Sequence, residues 1–500
     1  MIDSIKITTL IQLRNLDRAI SRITKTCQDA YMKRFALAPI LIFAANSLLA
    51  EPLEIGDRLE LFADDYLIDS LTGDLSQKVH QPTPKDVVFT ADASWEGNTS
   101  GYYTLLRDDD LIRMIYRGWA HNPEKPVRSL HREFTCYAES KDGLTFTKPK
   151  LGLVEWEGSK ANNIILDDPS THNFAAFKDT NPNCPPEARY KGIGGEKKEG
   201  GLCVYQSSDA IHWKKMTDKP VISDGAFDSQ NIAFWDSHAK IYRAYYRIFS
   251  KGGTENGEWK PKGVRAIRTS TSKDYINWEP GTNATYDKGT KPQQLYTNAV
   301  QPYFRAPHLL VAFPTRYLPD EGERVEPIFM MSRDGVKFKH YTEPVVPESA
   351  PSDRAGNRSN YMTWGMFTLP SEPDIISVYA TEAYYGTVPG RVRRFTYRLD
   401  GFVSLHAEGN GGEVLTKPIV CGGKSLEVNC AGKLKVELQG PDGKAIPGFS
   451  LAECDPFEGD STNAKLTWNG KSDLSSIAKK PIRIRFVVEK GDLYSMRFQK

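Results

Sequence analysis

Ser140-Lys141-Asp142-Gly143-Leu144-Thr145-Phe146 decides the fold, because its pattern returns along the chain. The shared pattern is Ser-x-Asp-x-x-x-aromatic, and its Asp residues are 67, 65 and 60 residues apart. A degenerate copy, Asp400-Gly401-Phe402, follows another 66 residues on, with its aromatic two positions after Asp instead of four. The three further full copies are Ser207-Ser208-Asp209-Ala210-Ile211-His212-Trp213, Ser272-Lys273-Asp274-Tyr275-Ile276-Asn277-Trp278 and Ser332-Arg333-Asp334-Gly335-Val336-Lys337-Phe338.

The pattern is typical of a β-hairpin turn. Ser and Asp side chains accept hydrogen bonds from nearby backbone amides, and Gly permits a positive φ. The aromatic residue then returns to the sheet and covers the turn. Four copies in register predict a repeated unit of about 65 residues.

Alternating, aromatic-rich strand candidates lie between the copies, and no long amphipathic helical pattern separates them. Units with room for four strands each predict the blades of a β-propeller. We therefore expect an all-β protein with a five-bladed β-propeller over residues 55–405, and Leu59–Ile68 as the strand that closes the ring. The five strand candidates are Ile112–Gly118, Ala188–Gly194, Lys240–Phe249, Leu309–Tyr317 and Ile375–Tyr384.

The character of the chain changes after Leu405. His406–Gly412 is rich in glycine and reads as a linker. Short strand candidates separated by turn signals such as Pro441-Asp442-Gly443 then follow. This pattern predicts a C-terminal β-sandwich over residues 413–500.

The N-terminus predicts export. Met32-Lys33-Arg34 precedes the apolar run Phe35–Ala45 and the small residue Ala50, as in a signal peptide over residues 32–50. Residues 1–31 then read as an upstream extension from a misassigned start codon. We expect a secreted or periplasmic protein with no stable membrane span after cleavage, because the apolar run is short and contains Pro39.

Composition excludes several classes of partner. Without residues 1–50 the formal net charge changes from +2 to −2, and no basic stripe points to nucleic acid. The seven cysteines show no zinc-ligand spacing, and the chain has no phosphate loop, dinucleotide fingerprint or serine-hydrolase elbow. We expect no metal and no other cofactor.

The turns, the five blades and the C-terminal module resemble the invertase, levansucrase and arabinanase group of glycoside hydrolases. The chain is also similar to secreted propeller proteins of planctomycete-type bacteria. That second likeness is carried by Phe62-Ala63-Asp64-Asp65-Tyr66-Leu67-Ile68-Asp69, His172-Asn173-Phe174, Gly225-Ala226-Phe227-Asp228-Ser229-Gln230-Asn231 and Arg305-Ala306-Pro307-His308.

The resemblance implies three acidic residues near the starts of the innermost strands of blades one, two and three. One would be a nucleophile or base, one would stabilise the transition state, and one would be the acid. The chain departs from the group because it lacks the motifs Asn-Asp-Pro-Asn-Gly and Arg-Asp-Pro.

Loops that lead into the innermost strands and loops that leave the second strands open on one propeller face. Carboxylates placed there could supply the acid and base of glycoside hydrolysis. Alternatively, each could cap a turn or pair with an arginine. The catalytic candidates are Glu96, Asp179, Asp228 and Glu382.

Three arginines at similar places could bind a carboxylate or sulfate, or could merely neutralise the acids beside them. The first alternative would indicate a uronic or sulfated sugar. Trp364 could stack on a sugar or pack between blades, and a lone His172 is more often structural. The candidate substrate-binding residues are Arg117, His172, Asn173, Arg247, Asn298, Arg316 and Trp364.

The sequence leaves three functions open. The first is a glycoside hydrolase that acts on a poly- or oligosaccharide through a carboxylate acid/base pair in the axial pocket. The second is a propeller that binds glycan or protein without catalysis, and the third is a sialidase-like enzyme on an anionic sugar. The fold alone does not decide between them.

Overall fold

The computed structural model describes residues 51–122, 124, 128–255, 258–347 and 361–500. The predicted extension 1–31 and signal peptide 32–50 lie outside the described residues. Apart from short 3-10 turns at Pro169–Thr171, Pro186–Ala188, Lys197–Glu199 and Pro319–Glu321, the regular structure there is β-sheet. No helix in this part of the chain is long and apolar enough to cross a membrane.

The first three blades of the predicted propeller are antiparallel four-stranded sheets in simple chain order. Blade one consists of Gly101–Asp108, Leu111–Gly118, Phe134–Ser140 and Ile164–Leu166, blade two of Ala175–Lys178, Tyr190–Gly194, Cys203–Ser207 and Lys214–Lys215, and blade three of Ile232–Asp236, Ile241–Phe249, Arg265–Ser272 and Thr282–Asn283. A small hairpin, Thr254–Glu255 with Glu258–Trp259, extends from blade three.

Blades four and five complete the ring, and each has an outer strand or partner that comes from elsewhere in the chain. Blade four consists of Gln301–Tyr303, Ala306–Ala312, Arg324–Ser332 and Lys337–Pro344 with the added strands Thr285–Tyr286 and Thr315–Leu318, and blade five of Phe367–Leu369, Glu372–Glu382, Arg391–Arg398 and Thr83–Thr90. The all-β class and the five-bladed propeller are thereby confirmed.

The ring closes differently from the expectation. Thr83–Thr90 pairs antiparallel with Arg391–Arg398 and forms the outer strand of blade five. Leu59–Ile68 does not form this outer strand, because Glu60–Leu61 pairs with the last strand of the chain, Pro481–Gln499. The expectation that Leu59–Ile68 closes the ring is therefore wrong.

The four Asp turns occupy equivalent places, since each Ser is the last residue of its blade's third strand. In the first, Asp142 Oδ1 accepts from the backbone N–H groups of Leu144 at 2.8 Å and Thr145 at 2.9 Å. Ser140 Oγ accepts from the N–H of Gly143 at 2.9 Å, where φ is 71°. Asp209, Asp274 and Asp334 make the same bonds.

The fifth, degenerate copy has another role. Asp400 is buried and accepts from Tyr303 and Arg305 of blade four. It also accepts from Ser495 at 2.7 Å and Asn429 at 3.5 Å, both in the C-terminal module. Asp400 therefore joins the propeller to that module.

The C-terminal module is an eight-stranded sheet with its own hydrophobic core. Gly432 pairs with Gly491 in its two longest strands, and a Cβ on either would lie about 2 Å from a carbonyl oxygen. Residues on both sides of this glycine pair belong to one core. Its strands are Leu53–Gly56, Glu60–Leu61, Ile68–Val79, Val403–Thr416, Ile419–Cys421, Ser425–Gln439, Phe457–Lys465 and Pro481–Gln499.

Candidate active site

A cavity of about 1070 Å³ opens where the loops that lead into the innermost strands meet. Every blade contributes at least one side chain to its wall. These are Tyr102 at the start of blade one, His172 before blade two, Asp228 before blade three, Tyr296 before blade four and Tyr361 before blade five.

Two carboxylates flank the imidazole of His172 in the cavity wall. Glu133 Oε2 lies 2.8 Å from Nδ1 of His172, and Asp228 Oδ1 lies 3.5 Å from Nε2. The side chain of Asp228 is 63% exposed, whereas that of His172 is only 10% exposed. Glu133, His172 and Asp228 thus form a row of charged side chains, and Asp228 is the member of this row that is most exposed to the cavity.

The charges of the row support one another. Burial lowers the pKa of His172, but its hydrogen bonds with Asp228 and Glu133 outweigh that effect and raise the pKa to about 9. Partial desolvation inside the cavity likewise opposes ionisation of Asp228, but the hydrogen bond from His172 and the charge of Arg247 lower its pKa to about 2. At neutral pH an imidazolium therefore lies beside an ionised carboxylate.

Asn173 adds a second neighbour at Nε2 of His172. Its Oδ1 accepts from Arg117 at 2.8 Å and its Nδ2 donates to the carbonyl of Ser229 at 3.2 Å, which fixes the orientation of the amide. That Nδ2 lies 2.9 Å from Nε2. The amide of Asn173 therefore packs directly against the imidazole, on the same side of the ring as Asp228.

Aromatic rings form much of the remaining wall. Arg117 stacks between Tyr102 at 4.7 Å and Trp119 at 4.9 Å from its guanidinium carbon, and donates to Tyr384. Tyr361 packs edge-to-face on Tyr102, Tyr296 and Tyr384. The cavity thus combines flat apolar faces with polar groups, as is typical of small-ligand sites.

The four carboxylates predicted as catalytic do not converge. Asp228 reaches the cavity, but Glu96 is buried against Tyr116 and Lys148. Asp179 comes after the innermost strand Ala175–Lys178 and not before it, so it lies at the other end of the blade. There it accepts from Lys191 and Tyr242.

Glu382 is the fourth of these carboxylates. It is buried and pairs with Arg391 at 2.9 Å and Arg393 at 3.1 Å. Glu96, Asp179 and Glu382 therefore occupy structural ion pairs outside the cavity wall, the arrangement considered above as the alternative to catalysis.

The predicted binding residues also divide. Arg117 and His172 line the cavity, Arg247 lines a side chamber next to it, and Asn173 supports His172 from beneath. Asn298 is buried and donates to the carbonyls of Gln230 and Tyr245. Trp364 packs between blades and donates to Val300, and Arg316 pairs with Glu326.

Sequence reasoning missed Glu133. It is the last residue of the loop that leaves the second strand of blade one, whereas the candidate taken from that part of the blade, Arg117, lies at the end of the strand itself. Glu133 becomes important only because blades one and two are neighbours. The missed tyrosines gave no separate signal, since aromatic residues are frequent throughout the strands. Other cavity residues not predicted include Tyr102, Trp119, Arg132, Asp168, Glu196, Arg265, Glu323, Tyr361, Tyr384 and Tyr385.

A metal site is not evident in the part of the chain that the structure describes, where no three His, Cys, Asp or Glu residues are grouped suitably. The row formed by Glu133, His172 and Asp228 is held together by hydrogen bonds and ion pairing. The chemistry available there is proton transfer.

No family model matches the chain, and no curated protein matches it. Among solved structures, it is similar to a glycoside hydrolase at 14% identity and a TM-score of 0.44, over 64% of this chain and 92% of that one. It is also similar to an N-acetylgalactosamine deacetylase from F. plautii, at 11% identity and a TM-score of 0.42, over 66% of this chain and 97% of that one. A third similar structure is a beta-1,2-mannobiose phosphorylase from Listeria innocua, at 12% identity and a TM-score of 0.43, over 64% of this chain and 94% of that one.

Proposed function

We propose that this protein is a glycoside hydrolase that cleaves a poly- or oligosaccharide in the axial cavity. The observation that carries the proposal is the pair His172 and Asp228, a protonated imidazole beside an ionised carboxylate that is 63% exposed to the cavity. Hydrolysis of a glycosidic bond needs a proton donor at the leaving oxygen, and this pair holds a proton at neutral pH.

The pair can act first as the proton donor and then as the proton acceptor of the hydrolysis. Its proton passes to the glycosidic oxygen as the bond from that oxygen to the sugar carbon breaks. The negative charge left on the pair stabilises the positive sugar carbon. Water then adds to that carbon, and the pair takes back a proton from it.

Glu133 acts as a positioning residue in this scheme. Its Oε2 accepts from Nδ1 of His172, and its Oε1 accepts from the backbone N–H of Asn173 at 3.1 Å. It thereby fixes the ring and stabilises its positive charge.

The sialidase-like alternative, which uses a tyrosine nucleophile, has less support. Burial raises the pKa of Tyr384 well above its ordinary value, although the nearby charge of Arg117 opposes this. Tyr102 and Tyr361 have pKa values raised well above the ordinary range, also by burial. These phenols remain protonated at neutral pH and suit hydrogen bonding to sugar hydroxyls better than nucleophilic attack.

The test is a screen of the mature chain, residues 51–500, against neutral, uronic and sulfated glycans, with measurement of released reducing ends. We expect turnover on at least one glycan class. Binding by calorimetry with no turnover on any bound glycan would favour the non-catalytic propeller instead.

A further inference from the structure

We propose that Arg247 and Arg265 form an anion-binding subsite beside Asp228 that recognises a carboxylate or sulfate group on the glycan. This rests on the proposed function, because it takes the ligand to be a glycan bound in the axial cavity. The subsite lies in a side chamber of about 410 Å³, which shares Asp228, Arg265 and Tyr296 with the main cavity.

The sheet of blade three brings the two arginines together. Arg265 is paired directly with Phe249 across two antiparallel strands, and Arg247 lies two residues before Phe249. All three side chains therefore project from the same side of the sheet. The guanidinium carbons of Arg247 and Arg265 lie 4.8 and 5.3 Å from the ring centre of Tyr296.

Within the described residues, neither guanidinium donates a hydrogen bond to a carboxylate. Arg247 donates to the carbonyl of Ala226 at 2.9 Å, and Asp228, the nearest acid, is 4.0 Å away. Arg265 donates to the amide oxygen of Gln294 at 3.0 Å, and its buried Nε has no hydrogen-bond partner within the described residues. No carboxylate in that part of the chain lies within 4.0 Å of Arg265.

The acidic residues of the side chamber do not balance the positive charge of the two arginines. Asp228 already lies beside the positive charge of His172, and Glu196 is paired with Lys198. Lys197, the other lysine of the chamber, donates to a backbone carbonyl. The chamber therefore carries an excess of positive charge that an anionic group of the ligand can balance.

Another arginine of the cavity shows the contrast. Arg132 lines the main cavity and makes paired hydrogen bonds to both oxygens of Asp167, at 2.7 to 3.0 Å. Its charge is already balanced. Two guanidinium groups that converge without such a partner match the geometry of a carboxylate or sulfate.

The experiment measures binding by calorimetry at constant ionic strength, with each charged glycan compared with its neutral counterpart. The pairs are a uronic oligosaccharide with its carboxyl-reduced form and a sulfated oligosaccharide with its desulfated form. Inorganic sulfate serves as a further probe. The variants are Arg265→Gln, which changes a half-buried side chain and should fold, and Arg247→Gln. The control is Arg268→Gln, because Arg268 lies on the same strand as Arg265, lines neither cavity and is paired with Asp224.

We expect the wild type to prefer one charged glycan over its neutral counterpart. Arg265→Gln should weaken binding of that glycan about 10- to 100-fold, the range for a lost charge-assisted hydrogen bond, while neutral glycan is bound equally. The uronic and sulfated arms identify which anion is recognised. Arg268→Gln should have little effect on binding of either glycan.

The inference is overturned if neither charged glycans nor sulfate bind preferentially, or if Arg265→Gln weakens charged and neutral glycans equally. Hydrolysis is scored separately. Charge-selective binding without turnover would support this subsite and contradict the hydrolase, whereas turnover without charge preference would do the reverse.

Discussion

Nε2 of His172 lies 3.5 Å from Oδ1 of Asp228, and the two residues come from loops that lead into neighbouring blades. Each raises the other's tendency to be charged, because a positive imidazole and a negative carboxylate attract. The pair is the chemical centre of the cavity, and its protonation should govern activity.

The alkaline limit of activity should follow His172. Its pKa of about 9 means that the pair loses its proton above that pH, so kcat/KM should fall there. Glu133→Gln removes a negative charge that raises this pKa, and the alkaline limb should move to lower pH. The measurement is kcat/KM against pH for both proteins.

Glu323→Gln provides the matched control for that change. Glu323 also lines the cavity but bonds to Tyr317 rather than to His172. Its profile should follow the wild type. An alkaline limb that stays in place in Glu133→Gln would show that Glu133 does not act through His172.

Folding stability should show a related pH dependence. The folded pKa of His172 is raised above its unfolded value of about 6.5. Its contribution to stability is therefore complete below about pH 6.5 and is lost as the pH rises to about 9. Urea unfolding of the wild type and His172→Gln should show free energies of unfolding that converge over this interval. A constant difference would contradict the raised pKa.

The repeated turns should each contribute measurably to stability. Asp274 Oδ1 accepts from the backbone N–H groups of Ile276 and Asn277 at 2.9 and 2.7 Å. Asp274→Ala leaves both amides without this partner and should lower the free energy of unfolding by about 1–2 kcal/mol. Asp86→Ala, at an exposed position in Thr83–Thr90, is the control and should change it by less than about 0.5 kcal/mol.

That contribution should itself depend on pH. Desolvation opposes ionisation of Asp274. Hydrogen bonds from the backbone N–H groups of Asn277 and Ile276, and from the side chains of Asn277 and Ser272, outweigh it and lower the pKa to about 2. The stabilisation is present above the unfolded pKa of about 3.9 and is lost as the pH falls to about 2. The difference between wild type and Asp274→Ala should shrink over that interval, and equal differences at pH 2 and pH 5 would contradict the account.

The architecture was accessible from sequence because its signals are local. The Ser-x-Asp turn depends on seven consecutive residues, so four copies of the pattern predict both the turn and the repeat. The closing strand was not accessible in this way. Leu59–Ile68 and Thr83–Thr90 both suit a strand, and only the pairing with Arg391–Arg398 distinguishes them.

The site was predictable only in part, because it depends on where each strand begins and where each side chain points. Asp228 lies in the cavity wall, in the loop that leads into the innermost strand of blade three. Asp179 was assigned to the wrong end of a strand of only four residues, which moved it to the wrong face. Glu133 reaches His172 only through the packing of blade one against blade two.

Export is a separate proposal that concerns residues 32–50. We propose that this segment is a cleaved signal peptide, since a basic start precedes an apolar run and a small residue. Expression from Met32 in a Gram-negative host should yield a periplasmic product that begins near Glu51, as determined by N-terminal sequencing. A native cytoplasmic protein with an intact Met1 would contradict it.

The central claim is tested most directly by the turnover of Asp228→Asn on the best glycan substrate. Asparagine keeps the shape of the side chain but does not share the proton of His172, so kcat should fall by about 10²–10⁴-fold. Because Asp228 is largely exposed, Tm should change little. Asp167→Asn, on the same cavity wall, should retain near wild-type turnover. Full activity in Asp228→Asn would contradict the account.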